Sequence, residues 1–184
     1  LKNKDRIFYI IPYITILDQS AKEVKENLSS GKVIDPIVMD SVSELHSAIV
    51  QFDESEQDTD NADFRKASLL TERMDSPIVM TTMVRFLNTF FGGGTRNPRP
   101  IHNFANSVIV FDEIQTIPVK CINLFNGLIN FLSKICGATI VLSTATQPLL
   151  DKVREPVRPV IFSDRTELSG CSDSAYMKFK RVNL

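Results

Sequence analysis

Four stretches of the chain are apolar without alternation: "RIFYIIP" (Arg6 to Pro12), "SPIVMTT" (Ser76 to Thr82), "VIVF" (Val108 to Phe111) and "ATIVLST" (Ala138 to Thr144). Each is short and rich in β-branched or aromatic residues, so each predicts a strand buried on both faces, as a parallel sheet requires. Between them the period changes to that of a helix. From Thr15 to Leu28, Ile16, Leu17, Ala21, Val24 and Leu28 share one face, and Gly31 follows as a stop. Met83 to Phe91 ends at three glycines, and Val119 to Ile135 places Ile122, Phe125, Leu128, Ile129 and Leu132 on a broad apolar face after Pro118. Weaker patterns predict a short strand at Pro36 to Met39, helices at Ser43 to Phe52 and Phe64 to Met74, and a fifth strand at Pro159 to Phe162. Strand, long helix and strand in succession form a βαβ crossover, so the fold class is α/β, a parallel sheet flanked by helices.

Composition narrows this picture. The chain has 184 residues, 43% hydrophobic and 23% charged, enough for one domain with its own core. With 21 basic and 22 acidic side chains it carries no global positive field, so nucleic-acid contact, if made, is local. No apolar run approaches the roughly 18 residues of a membrane helix, and no leader pattern opens the chain, so the expectation is a cytoplasmic protein without a membrane partner. Cys121, Cys136 and Cys171 have no CxxC pairing and no histidines at ligand spacing, which argues against a structural zinc. Residues 53–63 hold six acidic side chains, no basic ones and no apolar period, and are expected to form a mobile acidic loop. "GGGTRNPRP" carries Arg96 and Arg99 in an exposed loop, either solvated or able to meet phosphates.

The chemistry lies in "SVIVFDEIQTIP", positions 107 to 118, where a buried strand stops on two adjacent carboxylates. In open parallel sheets ligands collect beyond the carboxyl ends of the strands. A carboxylate fixed there can hold Mg²⁺ on a nucleotide, the role open to Asp112, while its neighbour Glu113 can orient or deprotonate an attacking water. "STATQP" ends the next strand and puts Thr144 and Thr146 on the same edge, within about 15 Å of Asp112 if one nucleotide is to be sensed by both. Hydroxyls there can bond to the acidic motif and relay its state, or Thr146 can simply cap a helix.

"YIIPYITILDQ", "SPIVMTTMVRF", "HNFANSVIVFDEIQTIP" and "STATQP", in this order, resemble motifs Ia, Ib, II and III of superfamily-two helicases. The wording is most similar to the CRISPR-associated helicase-nuclease of type I interference systems, and "LHSA" at positions 45–48 resembles a segment between motifs Ia and Ib of that family. The likeness runs from about Ile7 to Leu149.

It implies a RecA-like (P-loop NTPase-like) first lobe over residues 1–162, with 163–184 leading toward a second lobe. It further implies hydrolysis of ATP with Mg²⁺, translocation on single-stranded DNA, and a CRISPR surveillance complex as partner of the full-length protein. Carried over by position, Asp112 is the Mg²⁺-associated acid, Glu113 the water-orienting base and Gln115 the contact between motif II and its neighbours. Thr144, Ala145 and Thr146 become the coupling motif, and Pro12, Tyr13, Thr15, Thr81 and Thr82 the DNA-strand face. For the last five the residues themselves also allow strand termination, core packing or helix capping.

The sequence departs from the family's pattern: no GxxxxGK[ST] occurs, "GGGT" at 92–95 has no lysine, and neither the arginine fingers of a second lobe nor a His-Asp nuclease motif is found in it. The expectation is therefore a lobe lacking its Walker A segment and inactive in isolation. Two other readings stand beside it: a non-catalytic α/β interaction module, and a lobe of another superfamily-two ATPase such as a restriction translocase.

Overall fold

A computed structural model describes residues 3–28, 42–45, 74–93, 98–145 and 149–162. Its elements are β1 (Ile7–Ile11), α1 (Ile14–Leu28), β2 (Val42–Leu45), β3 (Ile78–Thr82), α2 (Met83–Phe91), β4 (Val108–Phe111), α3 (Ile122–Lys134) and β5 (Thr139–Leu142). The strands form one five-stranded sheet in the order β2-β3-β1-β4-β5. Every pairing is parallel, so all five strands end at the same rim.

Alternation along each strand divides the core in two. Phe8, Ile10, Ile109 and Phe111 point to the face covered by α2 and α3, which deliver Met83 and Phe86, and Phe125, Leu128, Ile129 and Leu132. Ile11 and Met80 point to the opposite face, where Leu17 and Ala21 of α1 close over them. The first face is dominated by aromatic rings. Phe8 stacks on Phe104 with centroids 4.1 Å apart, and Phe111 meets Phe86 and Phe125 edge-on, each at 5.1 Å. All five rings are fully buried.

The turn entering β4 is built by polar residues. A 3₁₀ segment, Arg99–Phe104, seats Phe104 in the core; Ser107 Oγ then donates to the Phe104 carbonyl at 2.7 Å. Asn106 takes a left-handed φ of 49° that asparagine tolerates well. Its backbone N–H donates to Cys136 O at 2.8 Å and its side chain to Asp5 Oδ2 at 3.0 Å, tying the starts of β1, β4 and β5 together.

Two expectations fail. Ser43 to Leu45 do not begin a helix: Val42–Leu45 pairs with β3 as a strand, because hydrogen bonding along the neighbouring strand overrides the weak helical period there. Pro159 to Phe162 is not a fifth strand in the sense expected. The backbone there is claimed instead by three asparagines one turn apart on α3. Asn123 Oδ1 accepts from Arg158 N–H at 3.0 Å, and Asn126 Nδ2 donates to Arg158 O at 2.7 Å and Leu150 O at 3.4 Å. Asn130 donates to Pro159 O and accepts from Ile161 N–H, both at 2.9 Å. Val160 meanwhile buries its side chain in the core. Asn126 is fully buried, and Leu150 O also accepts from Val160 N–H at 3.0 Å, so Asn126→Ala leaves the Arg158 carbonyl without its donor and is expected to destabilise the protein by about 1–2 kcal/mol. Urea unfolding checks this: the midpoint should fall at unchanged slope.

The other expected elements agree with the structure to within a few residues where they are described. The strand at 36–39, residues 46–52 of the helix expected from Ser43, all of the helix expected over Phe64 to Met74 except Met74 itself, the acidic stretch 53–63, Arg96 and the segment 163–184 lie outside the described residues. Cys121 and Cys136 flank α3 as free thiols, and burial pushes the Cys136 thiol up, away from nucleophilic use. Among the described residues no helix is long and apolar enough to cross a membrane.

Candidate functional site

The parallel pairing carries the chain to one rim five times, and four of these arrivals bring residues expected at the site. Pro12, Tyr13 and Thr15 follow β1; Thr81 and Thr82 end β3; Asp112 and Glu113 follow β4; Thr144 and Ala145 follow β5. Thr146 lies outside the described residues, so its distance from Asp112 is not part of this geometry.

The ladder runs past the strand ends and fixes the acidic turn. Asp112 N–H donates to Ile10 O at 2.8 Å, Ser143 N–H to Phe111 O at 2.8 Å, and Ile114 N–H to Ser143 O at 3.2 Å. Glu113 then adopts φ 50° and ψ 46°, a left-handed backbone that a residue with a Cβ enters only at a cost of about 1–2 kcal/mol. That kink turns the chain into the short 3₁₀ turn Ile114–Thr116 and buries Ile114 beneath it. Strain of this kind gathers where a side chain must be aimed. Glu113→Gly is expected to be more stable than Glu113→Ala by roughly 1 kcal/mol, since only the alanine keeps the Cβ penalty. Thermal unfolding of the two variants measures the difference.

A chain of side-chain hydrogen bonds crosses from β4 to β5. Gln115 Nε2 donates to Glu113 Oε2, and Thr144 Oγ1 donates to Gln115 Oε1. Both amide ends of Gln115 are thereby used, one on each neighbour. Asp112 is held separately. Its Oδ1 accepts from Glu113 N–H at 3.0 Å and its Oδ2 from the Tyr9 hydroxyl at 3.1 Å. Burial, with the Asp112 charge and this hydrogen bond adding to it, pushes the Tyr9 pKa up to about 12, so the hydroxyl stays a donor at neutral pH.

Tyr9 was not among the residues singled out by sequence reading. Its signal is the register: Tyr9 pairs with Val110, so both it and Asp112 fall on one face, which becomes visible only once β1 and β4 are known to be neighbours.

The rim residues expected to meet DNA divide. Tyr13 is 57% exposed and Thr15 is exposed, with Pro12 half-buried. Thr81 and Thr82 are buried, and Thr82 Oγ1 accepts from Arg85 N–H at 3.2 Å as the N-cap of α2. Capping, the alternative the sequence left open, is what the Thr82 hydroxyl does here. Among the described residues no group of three or more His, Cys, Asp or Glu could enclose a metal. Adjacent carboxylates at a strand end fit instead a hard cation such as Mg²⁺, which is commonly held by one or two carboxylates together with phosphate oxygens.

Fold and rim together define a RecA-like α/β lobe, a parallel sheet flanked by helices with an acidic turn at its carboxyl edge. Over 167 residues, 90% of this chain, the sequence is 23% identical to the CRISPR-associated nuclease/helicase Cas3 of Haloferax volcanii. The matched part is 18% of that relative's length, so the chain spans less than a fifth of it. In fold it is similar to the crystal structure of T. fusca Cas3 with ATP, with a TM-score of 0.53 and 23% identity over 77% of this chain and 15% of that one. No family model matches the chain. The resemblance to the CRISPR-associated helicase-nuclease thus rests on sequence and on fold alike.

Proposed function

We propose that the chain is part of the first motor lobe of an ATP-dependent single-stranded DNA translocase of the Cas3 kind, supplying the acidic half of its nucleotide site. The observation that carries this reading is the side-chain path Glu113, Gln115, Thr144, which links the ends of two adjacent strands at the rim where parallel sheets bind ligands. Such a path gives a change at the carboxylate a direct mechanical neighbour in the turn after β5.

In this reading Asp112 is the residue that would hold Mg²⁺, and Glu113 takes the proton of the attacking water. Gln115 orients Glu113 and reports its state to Thr144 and, through Ala145 and Thr146, to the rest of the coupling turn. When bound, Mg²⁺ would neutralise the charge developing on the phosphates. Tyr13 and Thr15 meet the DNA strand through exposed side chains, with the half-buried Pro12 beside them, contacts that position a strand without reading it. Thr82 serves that face from beneath, by capping the start of α2, with Thr81 buried in the strand before it. The complete protein would work in the cytoplasm with a CRISPR surveillance complex.

The test is ATP turnover by the purified full gene product with and without single-stranded DNA. Turnover stimulated by the strand is expected. No turnover under either condition would favour the non-catalytic interaction module, and stimulation by duplex DNA alone would favour a restriction-type translocase.

A further inference from the structure

We propose that Tyr9 is a positioning residue for the cation-binding carboxylate, a role that rests on the reading of Asp112 just given. Three features of the fold converge on it. Tyr9 and Asp112 sit on neighbouring strands and the same face, with Tyr9 in register with Val110, two residues before the acid. The hydroxyl donates to Oδ2 at 3.1 Å while Glu113 N–H holds Oδ1 at 3.0 Å, so each oxygen of the carboxylate has one fixed donor. A carboxylate offers about four lone-pair directions, and two fixed donors set its plane while leaving two directions for a cation and its waters.

The ring itself is anchored. It packs against the cluster of Ile11, Leu17, Ala21 and Met80 beneath α1, which stops the hydroxyl from following a mobile acid. Partners of this kind orient ligating carboxylates and hold their geometry before the metal arrives. Tyr9 also lies on the strand that leads directly into Pro12, Tyr13 and Thr15, so the same strand that would carry the DNA-facing residues sets the acid.

Tyr9→Phe in the full gene product removes the hydroxyl and keeps the ring. The dissociation constant of Mn²⁺ for the ADP-bound protein, read from loss of the free-ion EPR signal, is expected to rise about tenfold. The Mg²⁺ concentration for half-maximal ATP turnover should rise in parallel, with kcat at saturating Mg²⁺ retained. Affinity for a fluorescent single strand without nucleotide and the thermal midpoint should be unchanged, which a merely structural role would not allow. Tyr9→Met gives the same comparison if the phenylalanine variant does not fold. Unaltered Mn²⁺ affinity in a folded variant overturns the proposal. Asp112→Asn separates the two levels. If that variant keeps cation affinity and turnover, the reading of the acid fails; if it loses both while Tyr9→Phe keeps them, only the tyrosine's role fails.

Discussion

Glu113→Gln in the full gene product is expected to lower strand-stimulated ATP turnover by a factor of about 10² to 10⁴, the range a positioned general base contributes. The substitution is nearly isosteric and keeps the left-handed backbone, so folding should be preserved. An amide at this position can still exchange hydrogen bonds with Gln115, whose own amide can rotate to suit. Loss of rate would then report the missing basic oxygen rather than a collapsed turn. Steady-state turnover together with nucleotide affinity makes the distinction: kcat should fall while binding of ATP stays close to that of the unaltered protein. A variant with undiminished kcat would show that Glu113 does not take the proton.

Phe111→Ala is expected to cost about 3–5 kcal/mol, a large share of the 5–15 kcal/mol that holds a typical domain folded. Phe111 is fully buried, and its ring is the meeting point of α2 through Phe86 and α3 through Phe125. Truncation leaves a void beneath both helices at once, and these contacts also carry an edge-to-face contribution that no aliphatic neighbour replaces. Phe111→Leu should recover most of the loss. Urea denaturation of the two variants tests this, and a loss below 1 kcal/mol for the alanine would mean that α2 and α3 close over the gap. Because Asp112 is the next residue, the same variant should also blur the geometry of the acid.

The strands at Ile7–Ile11, Ile78–Thr82 and Val108–Phe111 were legible because unbroken apolar runs are what a doubly covered parallel strand needs. Helices α2 and α3 were legible through their apolar faces and their glycine and proline boundaries. What escaped depended on partners distant in sequence. Val42–Leu45 is a strand only because β3 lies beside it, and the 158–161 segment is irregular only because Asn123, Asn126 and Asn130 reach it first. At the site, Asp112, Glu113, Gln115 and Thr144 could be chosen by local motif, and the structure brings them to one rim. Tyr9 could not, since an aromatic in an apolar run reads as core until strand order is known. The burial of Thr81 and Thr82 escaped for the same reason: a strand-end threonine looks alike in sequence whether it faces solvent or the underside of a helix.

The asparagines on α3 have a mechanical corollary. Asn123, Asn126 and Asn130 stand one turn apart and together hold Leu150 O and the backbone from Arg158 to Ile161 by five hydrogen bonds. A strip stitched at several points along one helix face resists sliding over it. A displacement of α3 would carry that strip with it as one body, making the helix and its irregular edge a single lever.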